Sequence, residues 1–104
     1  LQVMDKSKLG VLLVVDRKDI LKGVFTDGDL RRRLARHEKI YDLKMSQVMT
    51  RNPKTIDENR LAVEALEIMQ KHEITILPIV EPSGRLKGVV HLHALLGKGK
   101  FRFN

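Results

Sequence analysis

Thr26 and Asp29 are the residues whose types and spacing could do chemistry. In Phe25-Thr26-Asp27-Gly28-Asp29-Leu30, a hydroxyl and a carboxylate stand three residues apart, where an apolar run (21–25) gives way to a helical pattern. The spacing is that of a capping box, in which both side chains satisfy orphan N–H groups of the first helical turn. The same geometry can serve a ligand. A carboxylate at a helix start beside a sheet edge can accept both hydroxyls of a ribose, while backbone N–H groups and basic side chains hold a phosphate. The two roles can coexist. His91 and His93 are a second candidate pair. They share a face only if extended, and no third ligand or Cys stands in reach, so a metal is disfavoured. They read as neutral donors lining a sugar or phosphate pocket, or as solvent-facing residues at a helix start. Arg31-Arg32-Arg33 reads as a solvated helix face, with an anion contact by one of the three as the alternative. Asp27 and Asp29 are too close, and on different helix faces, for an acid/base pair. Gly97-Lys98-Gly99-Lys100 lacks P-loop spacing. With no nucleophile–base–orienter set, this chain is expected to carry no catalytic residue, no metal and no required cofactor.

The positioning elements follow from hydrophobic periodicity. Residues 1–8 read as the end of a helix, with Leu1 and Met4 on one face and Gly10 where a C-cap glycine belongs. Residues 9–15 are a near-continuous apolar run, as in a strand buried on both faces. A polar turn (16–19) leads into a strand at 20–25, where Gly23 allows close approach by another backbone. Residues 26–37 are the next helix, with Leu30 and Leu34 inward. A connector (38–44), a helical turn (45–49) and the breaker Asn52-Pro53 precede a short strand, Lys54-Thr55-Ile56. Asn59 is placed as the N-cap of a helix over 60–72, whose apolar stripe is Leu61, Ala62, Ala65, Leu66 and Met69. Strands at 74–80 and 85–90 flank the turn Glu81-Pro82-Ser83-Gly84, and a last helix is expected over 91–96.

The chain contains one unit used twice. A shift of 65 residues aligns positions 1–31 with 66–96 without a gap, with identical letters at 1/66, 4/69, 6/71, 12/77, 15/80, 21/86, 22/87, 23/88, 24/89 and 30/95. Four of these pairs form the repeated tetrapeptide Leu-Lys-Gly-Val, which patterning alone does not explain. In the second copy His91 and Ala94 replace the Thr and Asp of the first. The second copy has an opening strand and the first does not, so the first repeat is expected to be incomplete. The resulting domains are 1–44, a first repeat lacking its opening strand, and 45–104, a second repeat.

Composition sets the outer limits. The 104 residues carry a formal charge of +7, with 42% hydrophobic and 32% charged residues and no Cys, as in a compact soluble domain without disulfides or thiolate metal sites. Nucleic acid, an anionic surface and a phosphorylated small molecule all suit the sign of that charge. One Tyr and three Phe leave little for bases to stack on, so a nucleic-acid role is disfavoured. No apolar run reaches the ~18 residues of a membrane span. The start has neither a leader pattern nor an initiator Met, so a piece of a longer, cytoplasmic chain is expected.

A β-α-β-β-α unit used twice and ending on Gly-x-x-Thr-x-x-Asp, here Gly23 to Asp29, resembles a CBS domain pair. More narrowly, Leu9-Gly10, Phe25-Thr26-Asp27-Gly28-Asp29-Leu30-Arg31-Arg32, Val48-Met49-Thr50, Ala62-Val63-Glu64-Ala65-Leu66 and His91-Leu92-His93 resemble the C-terminal region of bacterial D-arabinose-5-phosphate isomerases. The resemblance implies an α/β fold of two repeats related by a pseudo-twofold axis, with a ligand in the cleft between them. It implies that Thr26 and Asp29 face Lys54, Thr55, Ile74, Thr75 and Ile76, with His91 and His93 as further polar candidates. For Ile74 and Ile76, ordinary sheet core is the other reading. The symmetry-related cleft is expected to be disabled by His91 and Ala94. The implied function is regulation of an attached sugar isomerase that interconverts D-ribulose 5-phosphate and D-arabinose 5-phosphate, on the route to 3-deoxy-D-manno-octulosonate and lipopolysaccharide. A CMP-sugar or an adenine nucleotide would be the regulatory ligand. The implied partners are the isomerase domain of the same chain and a second copy through the CBS pairs, with no nucleic acid and no membrane. The alternative is a module that only dimerises and binds nothing.

Overall fold

The structure, a computed structural model, describes residues 1–6 and 10–92, with side chains from residue 10 onward and at 1–3. The chain divides into two compact units, Leu1–Pro53 and Lys54–Asn104. Among the described residues the first holds β1 (Gln2–Lys6), β2 (Val11–Val15), β3 (Leu21–Thr26), α1 (Asp27–Ala35), α2 (Met45–Val48) and β4 (Thr50–Arg51). The second holds β5 (Ile56–Asp57), α3 (Ala62–His72), β6 (Ile76–Val80) and β7 (Leu86–His91). No helix of the described residues is long and apolar enough to cross a membrane.

The first sheet is antiparallel, in the order β1-β2-β3-β4. Its core is the apolar run of β2, where Val11, Leu13, Val14 and Val15 are buried, joined by Val48 and Met49. In the second sheet β5 pairs parallel with β6, and β6 pairs antiparallel with β7. Helix α3 supplies the crossover that parallel pairing requires. Its Ala65 and Met69 close on Ile56 and Leu77.

The duplication read from the letters extends to the hydrogen bonds. The Val14/Val15 bulge against β3 recurs 65 residues on at Ile79/Val80 against β7. Asp16 N–H donates to Ile20 C=O at 3.0 Å, and Glu81 N–H to Arg85 C=O at 2.9 Å. The turns put Asp19 (φ 64°) and Gly84 (φ 92°) in the left-handed region at equivalent positions. Lys22–Asp16 and Lys87–Glu81 bridge the same point, at 3.7 and 3.5 Å. Burial opposes the Asp16 charge. The Ile20 and Lys18 N–H groups and the Lys22 ammonium outweigh it, and the carboxyl is held below its usual range.

Four expectations are corrected. Leu34, expected inward, is exposed on a helix with no buried residue, and Leu61 is exposed because it is the N-cap of α3 and lies off its apolar stripe. Residues 2–6 form strand β1 instead of a helix end, although the aligned residues of the second copy are helical within α3. Strand β2 offers the segment an edge of backbone groups, and pairing with it fixes residues 2–6 as a strand. Asn59 does not cap α3. Its N–H donates to Asp57 Oδ1 at 2.8 Å, the N-cap is Leu61, and Glu64 Oε1 accepts from Leu61 N–H. Arg60 pairs with Glu64, which drives the Glu64 carboxyl down and the Arg60 guanidinium up. Finally, β7 runs through His91 and Leu92 is helical, so the expected last helix starts one residue later than read, and residues 93–96 lie outside the described residues.

Gly23 behaves as its place in a strand implied. A Cβ there would lie 2.6 Å from Met49 Sδ and 2.9 Å from the Thr50 carbonyl oxygen. The missing side chain is what lets β4 pair with Gly23 and Val24.

Candidate functional site

Thr26 ends β3 and caps α1. Its extended backbone (φ −105°, ψ 165°) turns the chain so that Oγ1 accepts from Asp29 N–H at 3.1 Å, while Asp29 Oδ2 accepts from Thr26 N–H at 2.9 Å. Asp27 N–H donates to Gly10 C=O at 3.0 Å, tying the helix start to the head of β2. The capping reading of Thr-x-x-Asp is therefore realised in full. It does not exhaust the carboxylate, which has about four lone-pair positions. Asp29 Oδ1 is shared with the Arg32 guanidinium, whose side chain is 62% exposed against 15% for Asp29. An exposed pair of this kind contributes little and opens readily.

Asp29 stands on the wall of a cavity of about 250 Å³, with Arg32, Arg33, Arg36, Glu38, Val48, Met49 and Thr50 as its other lining residues. The spacing 32, 33, 36 puts three guanidiniums on one face of the end of α1. Arg33 is fixed: it donates to Glu38 Oε1 at 2.9 Å and to the Val48 carbonyl at 3.4 Å. Buried Val48 and Met49 form the apolar part of the lining. Chemically, the cavity offers guanidiniums to an anion and one carboxylate to a hydroxyl. The sequence reading found Asp29 here but missed Arg36, Glu38 and residues 48–50. The arginine spacing was legible, whereas the return of residues 48–50 across β3 was not.

The remaining candidates lie in the second unit. The register pairs Ile76, at the start of β6, with His91, at the end of β7, while β5 lies level with Ile79 and Val80 at the other end of β6. Lys54 and Thr75 are exposed, and Thr55, Ile76 and His91 are half-buried. Ile76 pairs with His91 as Val11 pairs with Thr26, and Leu92 N–H donates to Thr75 C=O at 2.8 Å, as Asp27 does to Gly10. His91 thus occupies the place of the capping threonine. Ile74 packs against the Ile56, Ala65, Met69 and Leu77 core. His93 lies outside the described residues.

A duplicated strand–turn–strand, with a capping Thr-x-x-Asp in one copy, defines a tandem α/β repeat. Residues 1–36 and 45–99 match the CBS domain, and the chain belongs to that family. The chain is 41% identical over 96 residues to an arabinose 5-phosphate isomerase KdsD of Francisella tularensis, covering 92% of this chain and 29% of that protein. It is 40% identical over 99 residues to the KdsD of Pseudomonas aeruginosa, covering 95% and 30%. It therefore spans about 30% of the length of these relatives. Among solved structures it is similar to the CBS domain pair of protein MJ0100 in complex with 5′-methylthioadenosine and S-adenosyl-L-methionine, with a TM-score of 0.76 and 28% identity over 92% of this chain and 76% of that one.

Proposed function

We propose that this chain is the ligand-sensing regulatory module of an arabinose 5-phosphate isomerase, and that it binds a nucleotide or CMP-sugar. In this reading repeats 1–44 and 45–104 act together. Asp29 and Thr26 take the ribose, and Lys54, Thr55, Ile74, Thr75, Ile76, His91 and His93 contribute from the second repeat. The isomerase domain belongs to the same parent chain, and the parent pairs with a second copy. The observation that carries the reading is the Asp29 carboxylate on the wall of a cationic cavity, anchored through Oδ2 and held at Oδ1 only by the exposed Arg32. The adenosine-type ligands of the MJ0100 pair and the isomerase name of the relatives support it. Regulation then requires a ligand that prefers one arrangement of sensor and enzyme over another.

The test is thermal unfolding with AMP, ATP, CMP and the CMP-linked octulosonate, in wild type and Asp29→Asn. Asparagine keeps an acceptor for Thr26 N–H and loses the charge. A ligand at a hundred times its Kd adds ~2.7 kcal/mol, which is roughly 10–20 °C in a domain of this size. That shift is expected in wild type and absent in Asp29→Asn. An equal shift in the variant refutes the ribose assignment. No shift with any ligand favours the dimerisation module, for which the exposed Leu34, Leu61 and Val63 are the surface evidence.

A further inference from the structure

We propose that the cavity at the end of α1 is a phosphate-monoester subsite in which Arg32 and Arg36 take the dianion and Arg33 is a positioning residue. The assignment rests on how the three cations are engaged. Arg33 is committed to Glu38 and to the Val48 carbonyl. Arg32 holds only the exposed link to Asp29. The Arg36 side chain has no hydrogen-bond or ion-pair partner among the described residues, although Arg36 lines the cavity. Arg36 is therefore open to an incoming anion, and Arg32 can join it by releasing its exposed link to Asp29. A phosphate monoester offers three oxygens and can meet both guanidinium forks at once, whereas a carboxylate has two oxygens and fills one.

The end of a helix is ordinarily a poor place for an anion, because its last carbonyls carry partial negative charge. Here three of those carbonyls are occupied. Arg36 N–H donates to Arg32 and Arg33 C=O, His37 N–H to Leu34 C=O, and Glu38 N–H to Arg33 C=O. The buried Val48 and Met49 side keeps water from one flank, which strengthens any charge pairing there. At about 250 Å³ the cavity is below the ~300–1,000 Å³ of sites that enclose a whole ligand. It therefore suits the phosphate end of a larger molecule. Asp29 on its wall adds a hydroxyl acceptor, so the ligand class is a phosphorylated polyol: a nucleotide, or a free sugar phosphate. The proposal does not depend on Asp29 binding ribose.

The experiment is an NMR titration at constant ionic strength, following the Arg Nε–H signals with inorganic phosphate, ribose, ribose 5-phosphate, adenosine and AMP. Arg36→Gln is compared with Arg31→Gln, which removes the same charge from the same helix but lies outside the cavity, where Arg31 pairs with Asp27. Phosphate-bearing probes are expected to shift the Arg32, Arg33 and Arg36 signals, and ribose is not. Arg36→Gln should weaken ribose 5-phosphate roughly ten- to hundredfold, the loss of one charged hydrogen bond. Arg31→Gln should leave it within about twofold, as expected of a screened surface charge. Equal loss in both variants, or equal response to ribose and ribose 5-phosphate, overturns the proposal. Phosphate binding at the arginines without any adenosine binding upholds it while removing the nucleotide reading. Adenosine binding as tight as AMP does the reverse. Preference for AMP over ribose 5-phosphate identifies the nucleotide as the source of the phosphate; the opposite order identifies a sugar phosphate.

Discussion

Gly23 and Gly88 are equivalent letters in the two copies of Leu-Lys-Gly-Val, and they should respond oppositely to the same substitution. At Gly23 a Cβ would stand 2.6 and 2.8 Å from Met49 Sδ and Cγ and 2.9 Å from the Thr50 carbonyl oxygen. At Gly88 its nearest neighbour would be Ile79 Cδ1 at 4.0 Å, ordinary contact. The methionine end can swing away, but a paired backbone carbonyl cannot. Gly23→Ala should therefore destabilise by about 1–3 kcal/mol, the range for overpacking. At roughly 4–8 °C per kcal/mol, Tm should fall by about 5–20 °C. Gly88→Ala meets no obstruction, and restricting the unfolded chain should stabilise it by up to ~1 kcal/mol. Urea unfolding of both variants reads the difference, and hydrogen exchange should show lost protection across β3–β4 in Gly23→Ala. Adding Met49→Ala removes two of the three close contacts. The double variant should then be less unstable than the sum of its singles, by a coupling of roughly 0.5–3 kcal/mol. If Gly23→Ala is as stable as Gly88→Ala, β4 does not lie against β3 and the reasoning fails.

Two further outcomes follow from the same geometry. Thr26→Ala deletes the acceptor of Asp29 N–H and should cost ~1 kcal/mol by chemical denaturation, with Thr26→Ser near wild type; equal loss in both would mean that the hydroxyl does not cap. Asp16 titrates below its usual value in the folded state. Its stabilisation is thus present above the unfolded carboxylate pKa of ~3.9 and lost as pH falls through the lower folded value. A plot of Tm against pH should therefore drop less steeply on the acid side in Asp16→Asn; an identical acid limb would remove Asp16 from the account.

Much of the fold was legible because it is local. The Val-rich run of β2, the polar turn after it and Thr26-x-x-Asp29 each draw their partners from within a few residues, and pattern reports such pairing directly. The 65-residue repeat foretold matching elements, and it was kept down to the bulges and the Lys22–Asp16 and Lys87–Glu81 bridges. Gly23 signalled that some backbone passes close by, without saying which.

Tertiary context decided the rest. Leu1/Leu66, Met4/Met69 and Lys6/Lys71 are identical pairs, yet residues 2–6 are a strand and 67–71 are helical. Leu, Met and Lys favour helix, but the preference is weak and the available partner overrides it: pairing with β2 in one case, the helix Ala62–His72 in the other. The cavity has the same origin. Its arginines are set by spacing on α1, but its far wall exists only because residues 48–50 return across the one position of β3 with no side chain. Sequence by itself determined the repeat, the cap and the cationic face. The return of a distant segment, which local letters do not encode, turned that face into a pocket.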